Sequence, residues 1–149
     1  MANKKISEVT PKAAQLEDND LMIISEFNGE TYDTKSVTGI NVRPFKTVMF
    51  NISQTGTSAP TVNYSYTDEV TQTFTWSRLS VGNYRLTSSS ALFTSNKTFC
   101  QITLGTSILD LSAGVVVTST TQLDITNCTA SSVLDGLLTN ASLEIKIIK

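Results

Sequence analysis

From residue 46 onward, apolar and polar positions alternate. "KTVMFNIS" sets Val48, Phe50 and Ile52 on one side of an extended chain, and "TVNYSYT" does the same with Val62, Tyr64 and Tyr66. Successive side chains of a strand point to opposite faces, so this two-residue period predicts strands with one covered face. The pattern continues with Phe74 and Trp76 in "QTFTWSRL", Tyr84 and Leu86 in "GNYRLT", and Cys100, Ile102 and Leu104 in "KTFCQITL". "QLDITNC" adds Leu123 and Ile125, and "SLEIKIIK" adds Leu143, Ile145 and Ile147. Gly/Asn/Ser clusters such as Val81-Gly82-Asn83 separate the runs. About seven or eight short strands at about 8–12-residue spacing predict a mostly β chain, a jelly-roll-like antiparallel β-sandwich. Ser, Thr and β-branched residues disfavour helix. The only helical turns expected are at Pro11–Leu16 and near Ser132–Leu138.

The pattern changes at Arg43-Pro44. Before it, acids and bases are frequent and the apolar residues gather in one knot, Leu21 to Ile24, followed by Asn28-Gly29. Asn-Gly is the strongest short hairpin signal, and "SEFNGETYDTK" is expected to turn there with Phe27 and Tyr32 facing across it. Two parts follow: residues 1–44, a short N-terminal anchoring segment, and residues 45–149, the sandwich. Ordering each residue costs about 1–2 kcal/mol of backbone entropy, which so few apolar side chains do not offset. Leu16, Leu21, Ile23, Ile24, Phe27, Tyr32 and Val37 are therefore expected to anchor on a partner. The alternative is that the segment folds back on its own β domain.

Composition narrows the function. The chain has 149 residues, a net charge of -2 and no histidine, so it lacks the basic footprint of nucleic-acid binding or of an anionic membrane surface. No apolar run reaches the roughly 20 residues of a spanning helix, so no membrane insertion is expected. The opening "MANKKISEVTPK" lacks the apolar stretch of a secretory signal, and synthesis in a cytoplasm is expected. Without histidine a Ser or Cys nucleophile would depend on Lys or a carboxylate, and Lys46, Lys97, Lys146 and Lys149 are poor candidates. Asp68-Glu69 is expected in a solvated loop, and nothing places Asp68, Glu69, Asp110, Asp124 and Asp135 together. No catalytic residue, metal or cofactor is expected, and the chain is not expected to be an enzyme. Cys100 and Cys128 are expected to be core thiols, with a single bridge as the alternative. The Asn-x-Ser/Thr sites at Asn51, Asn63, Asn96, Asn127 and Asn140 are of the number that a Ser/Thr-rich chain produces by chance.

Tyr64, Tyr66 and Trp76 admit two readings: an aromatic platform that contacts a glycan, or core filling. The alternation favours core for Trp76 and Phe74, and does not separate the two for Tyr64 and Tyr66. Exposed hydroxyls elsewhere are expected to give a water-compatible surface without a sticky patch.

The segment "KISE", then Asp18, Asp20, Leu21, Ile24 and Ser25, then "GETY" and "TKSVT", resembles the start of structural proteins of tailed bacteriophages. The stretches "SQTGTSAPT", "FTWSRLSVGNYRLT", "FTSNKTF" and "DGLLTNASLEIKI" are similar to a domain in virion proteins of phages that infect Bacteroidetes, with head fibre proteins of crAss-like phages nearest. The resemblance implies a structural virion protein, docked on the phage capsid or another virion protein through its N-terminal segment. It also implies a homotrimer, assembled in the host bacterial cytoplasm and exposed on the particle. A tail-fibre or receptor-binding module, attaching to a host surface glycan, is the alternative.

Overall fold

The computed structural model describes residues 21–27, 29–38, 44–105 and 111–149. They divide into two units, one ending at Pro44 and one spanning Phe45–Lys149. In the first, β1 (Leu21–Phe27) and β2 (Tyr32–Thr38) pair antiparallel, in register from Leu21↔Thr38 to Phe27↔Tyr32. Gly29 lies in the connection at φ +102°, a conformation that side chains with a Cβ rarely adopt. The expected hairpin is present. Of the expected anchors, Leu21, Ile23, Ile24 and Phe27 fall on β1, and Tyr32 and Val37 on β2. Leu16 and the turn expected at Pro11–Leu16 lie outside the described residues.

The second unit contains β3 (Phe45–Ser53), β4 (Thr61–Asp68), β5 (Phe74–Ser80), β6 (Asn83–Ser88), β7 (Thr98–Thr103), β8 (Ser112–Ser119), β9 (Gln122–Cys128) and β10 (Ala141–Ile148). They form two four-stranded sheets, β4-β3-β10-β7 and β5-β6-β9-β8, with every pair antiparallel. The sandwich is jelly-roll-like in having eight strands, four to a sheet. Its connectivity is its own, because β3–β4, β5–β6 and β8–β9 are hairpins within a sheet.

The alternating residues meet between the sheets. Val48, Phe50 and Ile52 from β3 and Leu143, Ile145 and Ile147 from β10 face Tyr84 and Leu86 from β6 and Leu123 and Ile125 from β9, all buried. Each fully buried aliphatic side chain contributes about 1.5–3 kcal/mol of transfer free energy. Across the gap, the Phe50 ring stands edge-on to Phe74 at 5.3 Å and to Trp76 at 5.7 Å, a favourable aromatic geometry.

Three local features depart from the sequence pattern. First, β8 has no clean alternation, because Val115, Val116 and Val117 are consecutive. In the sheet Val115 and Val117 pack on the core while Val116 is exposed. Second, a register shift between Asn51 and Ile52 splits the expected Val62/Tyr64/Tyr66 face: Val62 pairs with the inward Ile52, whereas Tyr64 and Tyr66 pair with Asn51 and Met49 on the outer side. Third, the stretch Ser132–Leu138 is not helical. It is an irregular connection in which Val133 bridges Cys128, and Gly136 at φ +82° is incompatible with a right-handed turn.

Candidate functional site

Cross-strand register places side chains in rows across the outer face of the first sheet. Tyr66, Met49, Glu144 and Gln101 form one row, and Tyr64, Asn51, Ser142 and Thr103 form the next. Tall tyrosines stand on edge strand β4, while short Ser142 and Thr103 occupy β10 and β7. The height difference makes an open groove of about 270 Å³, floored at Phe50 and Leu143. Tyr64 is 67% exposed and Tyr66 48%, so both belong to the surface and not to the core.

One end of the groove is rigid. Asn63 Nδ2 donates to Asn51 Oδ1 at 2.8 Å, to Ser53 Oγ at 2.9 Å and to Asn140 Oδ1 at 3.3 Å. Asn51 Nδ2 in turn donates to the Asn140 carbonyl at 3.2 Å. Three of the five Asn-x-Ser/Thr asparagines thus converge in one amide cluster beside Tyr64. A fourth, Asn127, is buried and so is inaccessible to a glycosylating enzyme.

Trp76 lies elsewhere. It sits on β5 of the other sheet, packs on Phe50, and its Nε1 is buried without a partner among the described residues. The structure brings Tyr64 and Tyr66 together but does not bring Trp76 to them. The outer face of the second sheet carries a bidentate Arg85–Asp124 pair with bonds of 2.7 and 2.8 Å, and exposes Val116 beside it. The first sheet instead exposes Tyr64, Tyr66, Met49 and Phe99.

A second constellation surrounds Asp135. Arg78 donates through Nε to Oδ1 at 3.1 Å and through Nη2 to Oδ2 at 2.6 Å. The Gly82 N–H and the Tyr84 hydroxyl reach Oδ1 at 2.9 and 2.7 Å. The hydrogen bonds from Arg78, then those from Gly82 and Tyr84, hold the carboxyl well below the usual carboxylate range against an opposing effect of burial. Burial, with the bond to Asp135 next, pushes the Tyr84 phenol far above its ordinary value. Next to this latch, Gly136 N–H donates to Gln54 Oε1 and Gln54 N–H to the Leu138 carbonyl at 2.7 Å. Residues from "SQTG", "SRLSVGNY" and "DGLL" therefore meet at one end of the sandwich, where they tie three connections together. Nothing in the local sequence marked this meeting.

The remaining acids are held separately. Glu69 is not solvated as expected: its side chain is largely buried and accepts from Lys149 Nζ at 2.8 Å. Asp110 lies outside the described residues. Among the described residues no three His, Cys, Asp or Glu side chains gather as metal ligands would.

Both cysteines are free thiols. Burial pushes the Cys100 thiol up to about 11, which leaves little thiolate at neutral pH. Cys100 in the folded protein is expected to react with iodoacetamide at pH 8 roughly a hundredfold more slowly than an unstructured cysteine. Mass spectrometry of timed aliquots measures this, and labelling at the free-cysteine rate would contradict the buried placement.

No family model, curated protein or solved structure matches this chain.

Proposed function

We propose that the chain is a non-enzymatic structural protein of a phage particle, a head fibre that docks on the capsid through its N-terminal unit and displays the sandwich outward. The observation that carries this reading is the division into a hairpin, Leu21–Thr38, and a separate eight-stranded body. A two-stranded hairpin alone is marginal in water, so a hairpin unit is suited to completing itself on a partner. The sequence resemblance of residues 5–38 to the openings of phage structural proteins supports the same role. Trimeric assembly fits a small anchor, because linked copies of a weak contact act at high effective concentration. The acids engaged by Arg78, Arg85 and Lys149 form ion pairs within the sandwich.

Electron microscopy of source particles, labelled with antibody raised against residues 45–149, tests the reading. Label distributed over the capsid is the expected result. Label confined to the tail tip would replace it with the second reading, a receptor-binding module, which the tyrosine groove favours. Absence of label on intact particles would overturn both.

A further inference from the structure

We infer that the groove on the outer face of the first sheet is a binding site for a short stretch of neutral saccharide. The inference deepens the receptor-binding reading, but does not depend on where on a particle the chain sits. Tyr64 and Tyr66 are two residues apart on one strand, so their rings rise about 7 Å from each other along it. A sugar ring has an apolar C–H face that packs on such rings and a rim of hydroxyls that both donate and accept. The far side and floor supply the complement: Gln101, Thr103 and Ser142 carry amide and hydroxyl groups of the same dual capacity. Among the described residues, no hydrogen bond within the chain occupies these three side chains. Three strand spacings separate the tyrosine wall from the Gln101/Thr103 wall, roughly 14 Å. The volume of about 270 Å³ falls near the lower end for ligand pockets. The volume suits one or two sugar units, and the span leaves room for a chain lying across the sheet.

Charge selects a neutral ligand. The one acid in the groove, Glu144, is paired with Lys146 at 3.1 Å, so the walls present no net charge to attract an anion. Polarity argues against a second copy of the chain as occupant. An apolar partner face would bury Gln101, Thr103 and Ser142, and polar groups buried without new hydrogen bonds cost about 1–3 kcal/mol each. The Asn51–Asn63–Asn140 cluster also fixes Asn51 and the strand end beneath Tyr64, so the wall is preorganised.

The test is calorimetric titration of the full chain with soluble neutral glycans of gluco, manno, galacto and fuco configuration, with heparin as the anionic control. Saturable binding to a neutral glycan is expected, together with no preference for heparin. Tyr64→Ala should raise Kd about tenfold, and Gln101→Ala severalfold. Both side chains lie outside the core, and unchanged thermal melts would confirm intact folding. Failure of every neutral glycan to bind, or binding unchanged in Tyr64→Ala and Tyr66→Ala, would overturn the inference. Sedimentation showing self-association that Tyr64→Ala abolishes would also overturn it, and would assign the groove to a second copy. Particles without label in microscopy would remove the virion reading and leave this titration untouched.

Discussion

Replacing Asp135 with alanine is expected to lower the unfolding free energy of the sandwich by about 3 kcal/mol. The carboxylate accepts from Arg78, Gly82 N–H and Tyr84 at once. Its loss would leave a backbone N–H and the phenol of buried Tyr84 short of a partner, while the partly exposed Arg78 guanidinium would turn to water. The Asp135 side chain keeps 15% exposure, which places the cost at the lower end of the range for broken buried pairs. Urea titration followed by the fluorescence of Trp76, the single tryptophan, measures the change.

The same contacts predict the pH dependence. A carboxyl whose folded pKa is depressed adds stability above its unfolded value, about 3.9, and loses it as pH falls toward the lower folded value. The gap between parent and Asp135→Ala should therefore be full at pH 7 and narrow progressively below about pH 5. Tyr84 has the opposite sign: its raised phenol contributes below its unfolded value of about 10 and loses that contribution as pH rises beyond it. A gap that stayed constant from pH 7 to 3 would show that the charge of Asp135 does not secure the latch.

Gly82→Ala is expected to cost a similar amount, about 3 kcal/mol, for a different reason. Gly82 has φ +61°, a left-handed conformation that strains a residue with a Cβ by about 1–3 kcal/mol. An added Cβ would also lie 2.5 Å from Val133 Cγ1 and 2.8 Å from Leu134 N and O. The valine methyl can rotate away, but the Leu134 backbone cannot. The connection between β9 and β10 would have to lift, and Asp135 would lift with it from the Gly82 N–H. Gly56→Ala is the control: it has nearly the same φ, +57°, with nothing within 4 Å, and should cost only about 1 kcal/mol. Equal costs at the two positions would refute the steric argument. The double variant Gly82→Ala/Asp135→Ala should be less destabilised than the sum of the single ones, because each breaks the same contact.

The strands were legible wherever a two-residue period ran unbroken, as in β3, β6, β9 and β10. The β8 strand is hidden from that period because Val115–Val117 and Gly114 interrupt it, although a β-branched run between turns is itself a strand signal. The period in β4 marks a strand but does not show what covers it. A bulge and an edge position decided that, and neither leaves a mark in the alternation. The groove was half legible. Tyr64 and Tyr66 were singled out from their chemistry, while Gln101, Thr103 and Ser142 come from strands distant in sequence and had no motif to betray them. The latch is the least legible part, since Asp135 lies 57 residues from Arg78, in a stretch whose local pattern suggests a helical turn.

Alone, the amino-acid order determined the mostly β character of the chain after Pro44, the change of composition at Pro44 and the hairpin that turns at Gly29. Each of these rests on local physics: side chains alternating along an extended backbone, charge density along the chain, and the left-handed freedom of one glycine. Only the tertiary structure decided which sheet each strand joins, which aromatic residues are covered, and that Asp135 closes one end of the sandwich. Those outcomes depend on pairings between distant segments, and such pairings are selected by the packing of the whole core, which no short window of sequence contains.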